Sequence, residues 1–270
     1  MTQSVNMRND IIKFFNTSEY RTADGKFFFM SGGGDSAADN ARPDALIFKI
    51  KLFLKKHPKL FLFLYYTLGA FVGTSAKKSI AHLGKDAVII SLGSGVHRVR
   101  EDVVNVDVMP FEGVDIVADV HALPFRDNSI DAVIAEFLLE HLKNPRAAVQ
   151  EMARVLKTGG VLYASTPFII GYHSSPGDYY RWTTSGLREL FADFKEKDLG
   201  IAIGPTNALT YVLREWLAML FSFNSRLLHQ LLLLFFTVLF APFNWLDLLL
   251  KRHKTASNIA HAFYYIGVKK

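Results

Sequence analysis

Four short apolar runs in the middle of the chain each end on residues able to do chemistry. AVIISL (87–92) leads into LGSGVH, which puts Gly93, Ser94 and Gly95 in a glycine-rich turn. VVNVDV (103–108) carries Asp107 at its end, VDIVAD (114–119) closes on Asp119, and IDAVIAE (130–136) closes on Glu136. Gly93 and Gly95 let the backbone approach a ligand with no Cβ in the way, and the carboxyl ends of parallel strands are where open α/β sheets bind ligands. An acid at the end of the second strand can accept bonds from both ribose hydroxyls. Asp119 can accept one from an adenine amino group. Three carboxylates at successive strand ends favour a cationic, hydroxyl-rich ligand and discourage phosphates.

A dinucleotide site fits this spacing poorly. Such folds place the ribose acid about 20 residues after the glycines, beyond a full helix whose N-terminus anchors pyrophosphate. Here Gly95 and Asp107 are 12 residues apart, 93–101 is too short for a crossover helix, and the third glycine is missing from GSGVH. A nucleoside without a pyrophosphate needs no such anchor. SGGGD near the N-terminus has neither a leading strand nor a following GK[ST], so it reads as a loop.

The elements that must position these residues alternate from Asp86 onward, which signals an α/β domain with a largely parallel sheet. NPRAAVQEMARVLK is an amphipathic helix expected to stop at Gly159-Gly160, and VLYASTPF is a fifth strand. SGLRELFADF is a further helix, capped from Thr183, Thr184 and Ser185. IAIG and HAFYYIGV are the last strands, with a long apolar stretch between them. The expected organisation is a polar N-terminal segment and linker (1–45, including SGGGDSAADNARPD), an apolar helical segment (46–80), the α/β domain (81–204 plus 257–270) and a hydrophobic helical insertion (205–256).

The run from LGSGVH to YASTPF resembles the class I S-adenosylmethionine-dependent methyltransferases of the type 11 kind, and GYHSSPGDYYRWTTSGL resembles a subgroup of them. The resemblance implies a Rossmann-like sheet and S-adenosyl-L-methionine as cofactor. It puts the methionine part on Gly93, Ser94 and Gly95, the ribose on Asp107 and the adenine on Asp119. Glu136 joins the cofactor-binding set. Ser91 stands where many members carry an acid, and His97 where the third glycine usually lies.

Methyl transfer from a sulfonium is an in-line displacement, so the enzyme mainly positions the nucleophile and removes a proton. Glu140 and His141 lie one turn after Glu136, and His173, Asp178, Tyr179, Tyr180 and Arg181 follow strand five. His173, Asp178 and His141 are the expected catalytic groups, since histidine titrates near neutral pH. Tyr179, Tyr180 and Arg181 are the expected substrate-binding groups, with Arg181 suited to an anionic acceptor. No metal centre is expected.

Composition bounds the rest. The 270 residues are 50% hydrophobic and contain no cysteine, which excludes disulfides, thiolate zinc sites and cysteine nucleophiles. The net charge of +6 is uneven: residues 81–200 carry 12 basic and 17 acidic side chains, the remainder 19 and 8. Those flanking basic residues border apolar runs. Lys55, Lys56 and Lys59 precede the 17 uncharged residues Leu60–Ala76, and Arg226 precedes the 20 of Leu227–Leu246. That pattern fits an anionic membrane surface better than a nucleic acid. The first residues lack the features of a signal peptide, so the expected location is the cytoplasm, at the inner face of the membrane. The expected acceptor is a small or lipid-linked molecule. A methyltransferase-fold scaffold or regulator at the membrane, without catalysis, is the competing reading.

Overall fold

The computed structural model describes residues 10–29, 53, 57, 71–173 and 177–270. The expected linker at 31–44, and most of the apolar segment 46–80, lie outside the described residues. The strands are β1 (Arg21–Ala23), β2 (Lys26–Phe28), β3 (Ile89–Leu92), β4 (Val104–Asp107), β5 (Ile116–Val117), β6 (Ile130–Glu136), β7 (Leu156–Pro167), β8 (Phe194–Ile203) and β9 (Ala262–Lys269). They form one sheet in the order β1-β2-β5-β4-β3-β6-β7-β9-β8. Without β1, β2 and β9 this is the doubly wound order 3-2-1-4-5-6. β9 is wedged antiparallel between β7 and β8. The order reverses between β3 and β6, and a ligand crevice opens at the carboxyl ends of strands flanking such a switch point.

Burial explains why these runs are strands. β3 and β4 are buried along their whole length, as expected for parallel strands covered on both faces. Ile90, Leu92, Val106 and Val133 pack with Leu139 and Met152 on one side. Ile89, Ile134 and Tyr163 pack with Ala76 and Ile80 on the other. Ala76 and the short helix α1 (Ala76–Ser79) begin after Ser75, whose hydroxyl accepts the Lys78 N–H.

Between β3 and β4 residues 93–103 form no helix. Two arginines hold that short crossover instead. Arg98 donates to Val103 O, Gly113 O and Asp115, while Arg100 pairs with Asp102 and reaches Ile80 O and Leu83 O.

Two details depart from the sequence expectation. Helix α2 (Pro145–Val155), capped by Asn144, ends at Val155 rather than at Gly159-Gly160. Leu156 is already extended and fully buried in β7, where pairing with Ile130 wins over another helical turn. Gly159, at φ +82, instead turns the chain inside β7. The sheet also takes in residues of the N-terminal segment: β2 pairs in parallel with β5, and Phe15, Tyr20, Phe27 and Phe29 cluster edge-to-face beside it. Helix α3 (Thr184–Leu190) is capped by Thr183.

The stretch between β8 and β9 is a helical hairpin. α4 (Pro205–Phe221) and α5 (Arg226–Phe240) are joined by a tight turn at Phe223 and Asn224, both at positive φ. A 3-10 segment, Ala241–Leu246, starts at Pro242 where an α-helix loses a donor, and α6 (Asp247–Leu250) follows. Fully buried Asp247 accepts the Thr206 and Asn207 N–H groups at 2.7 and 3.0 Å, so it caps α4. The described end of the first apolar segment meets the same place: Val72 and Gly73 donate to Ala202 O, and Lys251 Nζ donates to Val72 O.

Candidate active site

The glycine turn follows β3 at the switch point. Gly93 and Gly95 have φ of +63 and +55, a region that other residues enter only at a cost. A Cβ on Gly93 would lie 2.7 Å from Leu138 Cδ1, whereas one on Gly95 would meet nothing within 4 Å. The backbone at Gly95 therefore faces open space, the feature a ligand-cradling turn needs. Ser94 Oγ is buried and has no protein partner.

Asp107, at the end of β4, organises this turn. Its two oxygens accept the Gly95 N–H at 2.8 Å and the Met109 N–H at 2.9 Å. A carboxylate has about four acceptor positions, so two remain for ligand hydroxyls. Asp119 follows β5, and its Oδ1 accepts the His121 N–H at 2.9 Å and lies 2.7 Å from His121 Nδ1. Its side chain is half exposed. Glu136 ends β6 beside β3, and burial raises its carboxyl to about 7. Its Oε2 lies 3.7 Å from His97 Nδ1, and burial lowers that imidazole. His97 thus faces the cofactor-side acid.

The second group of residues gathers at the same edge of the sheet. Glu140 and His141 sit in a single 3-10 turn, Leu139–His141, directly after β6. Glu140 is fully buried, and among the described residues its oxygens accept no hydrogen bond from any residue other than Glu140 itself. Burial lifts its carboxyl to about 8, opposed mainly by a backbone hydrogen bond and by Arg181. His141 Nδ1 is hydrogen-bonded to Gly177 O, and its ring lies 5.1 Å from that of His173 at 78°. His173 Nδ1 is 3.4 Å from Asp178 Oδ2, which also accepts the His173 N–H. Burial lowers the His173 imidazole, offset in part by Asp178. The structure therefore brings His141, His173 and Asp178 together, with Glu140 among them.

Arg181 does not match the expected anion-binding role. Its five N–H donors are all used: two on Asp178, the others on Ile170 O, Tyr180 O and Gly171 O. It holds its own loop closed and neutralises Asp178. Burial pushes the Asp178 carboxyl up, but the Arg181 hydrogen bonds, the bond from the His173 N–H and the neighbouring positive charge together outweigh this and leave it below the usual range. Tyr180 stacks on Trp182 and donates to Lys143 O, so its ring and hydroxyl are engaged on the outer side. Tyr179 is 49% exposed, and its N–H donates to Glu140 O. Among the described residues, Tyr179 is the expected substrate-binding group whose side chain makes no hydrogen bond.

Three further residues adjoin the site. His261, at the start of β9, is buried, is pushed down to about 3 by burial, and packs edge-on against Tyr211 of α4. Arg214 lies 4.0 Å over the same Tyr211 ring. No local motif marks them, because they reach the site from the hairpin and the final strand.

Residues 74–164 match the family described as "Methyltransferase domain". This part of the chain is a methyltransferase domain. The match runs from the start of α1 into β7, so it contains the glycine turn, Asp107, Asp119, Glu136, Glu140 and His141. The methyl donor implied for such a domain is S-adenosylmethionine. The residues fit that group: an open glycine backbone, an orphaned buried hydroxyl at Ser94, and carboxylates with acceptor capacity to spare.

Relatives include the demethylmenaquinone methyltransferase of Renibacterium salmoninarum, 37% identical over 100 residues, which are 35% of this chain and 37% of that protein. The ubiquinone/menaquinone biosynthesis C-methyltransferase UbiE of Chromobacterium violaceum is 49% identical over 47 residues, 17% of this chain and 19% of that protein. The chain thus spans well under half the length of these relatives. A solved structure of a methyltransferase from Thermotoga maritima, titled a possible histamine N-methyltransferase, is 14% identical with a TM-score of 0.45, covering 80% of this chain and 98% of that one.

Proposed function

We propose that the protein transfers a methyl group from S-adenosylmethionine to a lipophilic acceptor, while its α4–α5 hairpin rests on the cytoplasmic face of a membrane. The relatives' names point to a quinone-like ring as the class of acceptor. The observation that carries the membrane half is the outer surface of the hairpin. Leu209, Trp216, Phe223, Leu227, Phe235 and Val238 are all exposed, Phe223 by 84%. Contiguous apolar surface of this kind marks a contact with lipid or with another protein.

Several features favour lipid over water and one leaflet over two. The polar groups of the hairpin face inward: Arg214 donates to Thr237 Oγ1, and His229 lies 3.8 Å from Glu215. Arg226, Arg252 and Lys254, all exposed, border the apolar face in sequence, where each adds about 1 kcal/mol on an anionic surface. Arg226–Leu250 is long and apolar enough to cross a membrane by length and composition. However, α5 is only 15 residues, about 22 Å at 1.5 Å per residue, and gives way to a 3-10 segment at Pro242. A hydrocarbon core is about 30 Å thick, so α5 suits insertion into one leaflet.

The hairpin is also joined to the reaction edge. It springs from the end of β8, and Tyr211 packs against Gly171 in the loop that carries His173 and Asp178. An acceptor dissolved in the leaflet would reach the cofactor without entering water. S-adenosylmethionine supplies an electrophilic methyl on sulfur. The chain's part is to orient the acceptor and take up its proton, a role supported by the grouping of Glu140, His141 and His173 at this edge.

Flotation with vesicles containing anionic lipid, followed by methyl transfer to a demethylated quinone in the same vesicles, tests this reading. Recovery of the protein in the floated fraction, and labelled product, are expected. A protein that stays monomeric and detergent-free at the bottom of the gradient would refute the membrane half, and floated protein without transfer would favour the scaffold.

A further inference from the structure

We infer that Glu140, His141 and His173 form a binding site for one divalent transition-metal ion of the zinc class. The inference rests on the cluster itself and stands whether or not methyl transfer is the reaction. One potential ligand atom from each of the three lies within 4.8 Å of the others. Ligand atoms around a tetrahedral ion at about 2.05 Å sit about 3.4 Å apart, so closure by at most about 1.4 Å suffices.

A second observation points to a ligand. Glu140 has no exposure, and among the described residues both of its oxygens are buried with no partner in any other residue. Burying an unpaired carboxyl is costly, and such groups are found paired or on a metal. Glu140 Oε1 lies 3.9 Å from His141 Nε2, beyond hydrogen-bond distance. Arg181 is committed to Asp178 and backbone carbonyls, and so gives Glu140 no hydrogen bond.

The surrounding groups are those that orient metal-bound histidines. The hydrogen bond between His141 Nδ1 and Gly177 O assigns the proton to Nδ1 and leaves a lone pair on Nε2, the atom facing Glu140. Asp178 lies beside His173 Nδ1, the position of the carboxylate in a carboxylate–histidine–metal arrangement. Two imidazoles, one carboxylate and no sulfur suit zinc or a neighbouring first-row ion over magnesium or calcium, which prefer all-oxygen cages. Three protein ligands leave a fourth position for water or an oxygen donor.

Chelator-treated full-length protein titrated with cobalt(II) tests this, followed by the visible spectrum and by displacement with zinc. One ion per chain is expected, with d–d bands of a low-symmetry four- or five-coordinate site. His173→Ala and Glu140→Gln should each weaken binding by at least about 10-fold while the circular dichroism spectrum is unchanged. If either variant fails to fold, X-ray absorption on the wild-type complex decides the ligand set, with two imidazoles expected. No stoichiometric binding to the wild type, undiminished binding in both folded variants, or fewer than two imidazoles at the ion would overturn the site. S-adenosylmethionine binding measured on the same samples reports on the cofactor pocket separately, so a failed metal titration leaves that reading intact.

Discussion

Glu136 ends β6 beside the glycine turn, and burial gives its carboxyl a property that can be measured. In the unfolded chain it releases its proton near 4.5, whereas in the folded protein it holds it to about 7. Between those values the native state binds the extra proton, so raising the pH favours unfolding. The loss begins above the unfolded value and is complete once pH passes the folded one. A shift of that size is worth up to about 3 kcal/mol. Glu136→Gln keeps the shape and removes the charge. The variant should match the wild type near pH 4 and exceed its stability by up to about 3 kcal/mol near pH 8. His97, lowered by burial, works in the opposite direction, losing stability as pH falls below its ordinary 6.5. Both proteins carry His97 and Glu140, so their contributions largely cancel in the difference. Urea unfolding across this range is the assay. A gap between the two proteins that does not change with pH would refute the reasoning, because it would mean that Glu136 is solvated and ionised throughout.

Other outcomes follow from single contacts. Gly93→Ala combines φ +63 with a 2.7 Å approach to Leu138, and should cost about 1–3 kcal/mol by chemical denaturation. Gly95→Ala meets open space, and should cost only about 1–2 kcal/mol for its φ while weakening cofactor binding, separable by denaturation and calorimetry. Arg181→Ala leaves the Asp178 carboxylate, 1% exposed, without its partner, and should cost about 3 kcal/mol or more in thermal or urea unfolding. Arg181→Lys should restore little of it, since one ammonium cannot reproduce five donors. Asp247→Ala removes the cap of α4 and should cost about 1–2 kcal/mol.

The parallel sheet was legible because its strands are buried on both faces and announce themselves as apolar runs punctuated by glycines and acids. β6 agrees with the expected run to the residue. The end of α2 was misread because glycines usually stop helices, while here the pull of Leu156 into the sheet acts first and Gly159 serves a turn within β7. The acceptor-side cluster was legible as a set of residue types but not as contacts. Arg181 looked available for an anion because sequence shows a donor without its acceptors, and all five of these are carbonyl or carboxylate oxygens of its own loop. His97 read as a departure from a glycine pattern, yet it lies 3.7 Å from Glu136. His261 and Tyr211 were invisible because 50 residues of chain separate them. The role of Asp247 was hidden for the same reason: it breaks an apolar run in sequence and caps a helix 40 residues earlier in space.

Calorimetric titration of the detergent-purified chain with S-adenosylmethionine and S-adenosylhomocysteine, beside Asp107→Ala, tests the cofactor pocket most directly. Asp107 anchors Gly95 and Met109 by two charge-assisted bonds and retains acceptor positions for ligand hydroxyls. Each bond of that kind is worth about 1.5–3 kcal/mol, so micromolar binding of both ligands to the wild type should fall by at least about 100-fold in the variant. Failure of the folded wild type to bind either ligand, or equal binding by Asp107→Ala, would contradict the account.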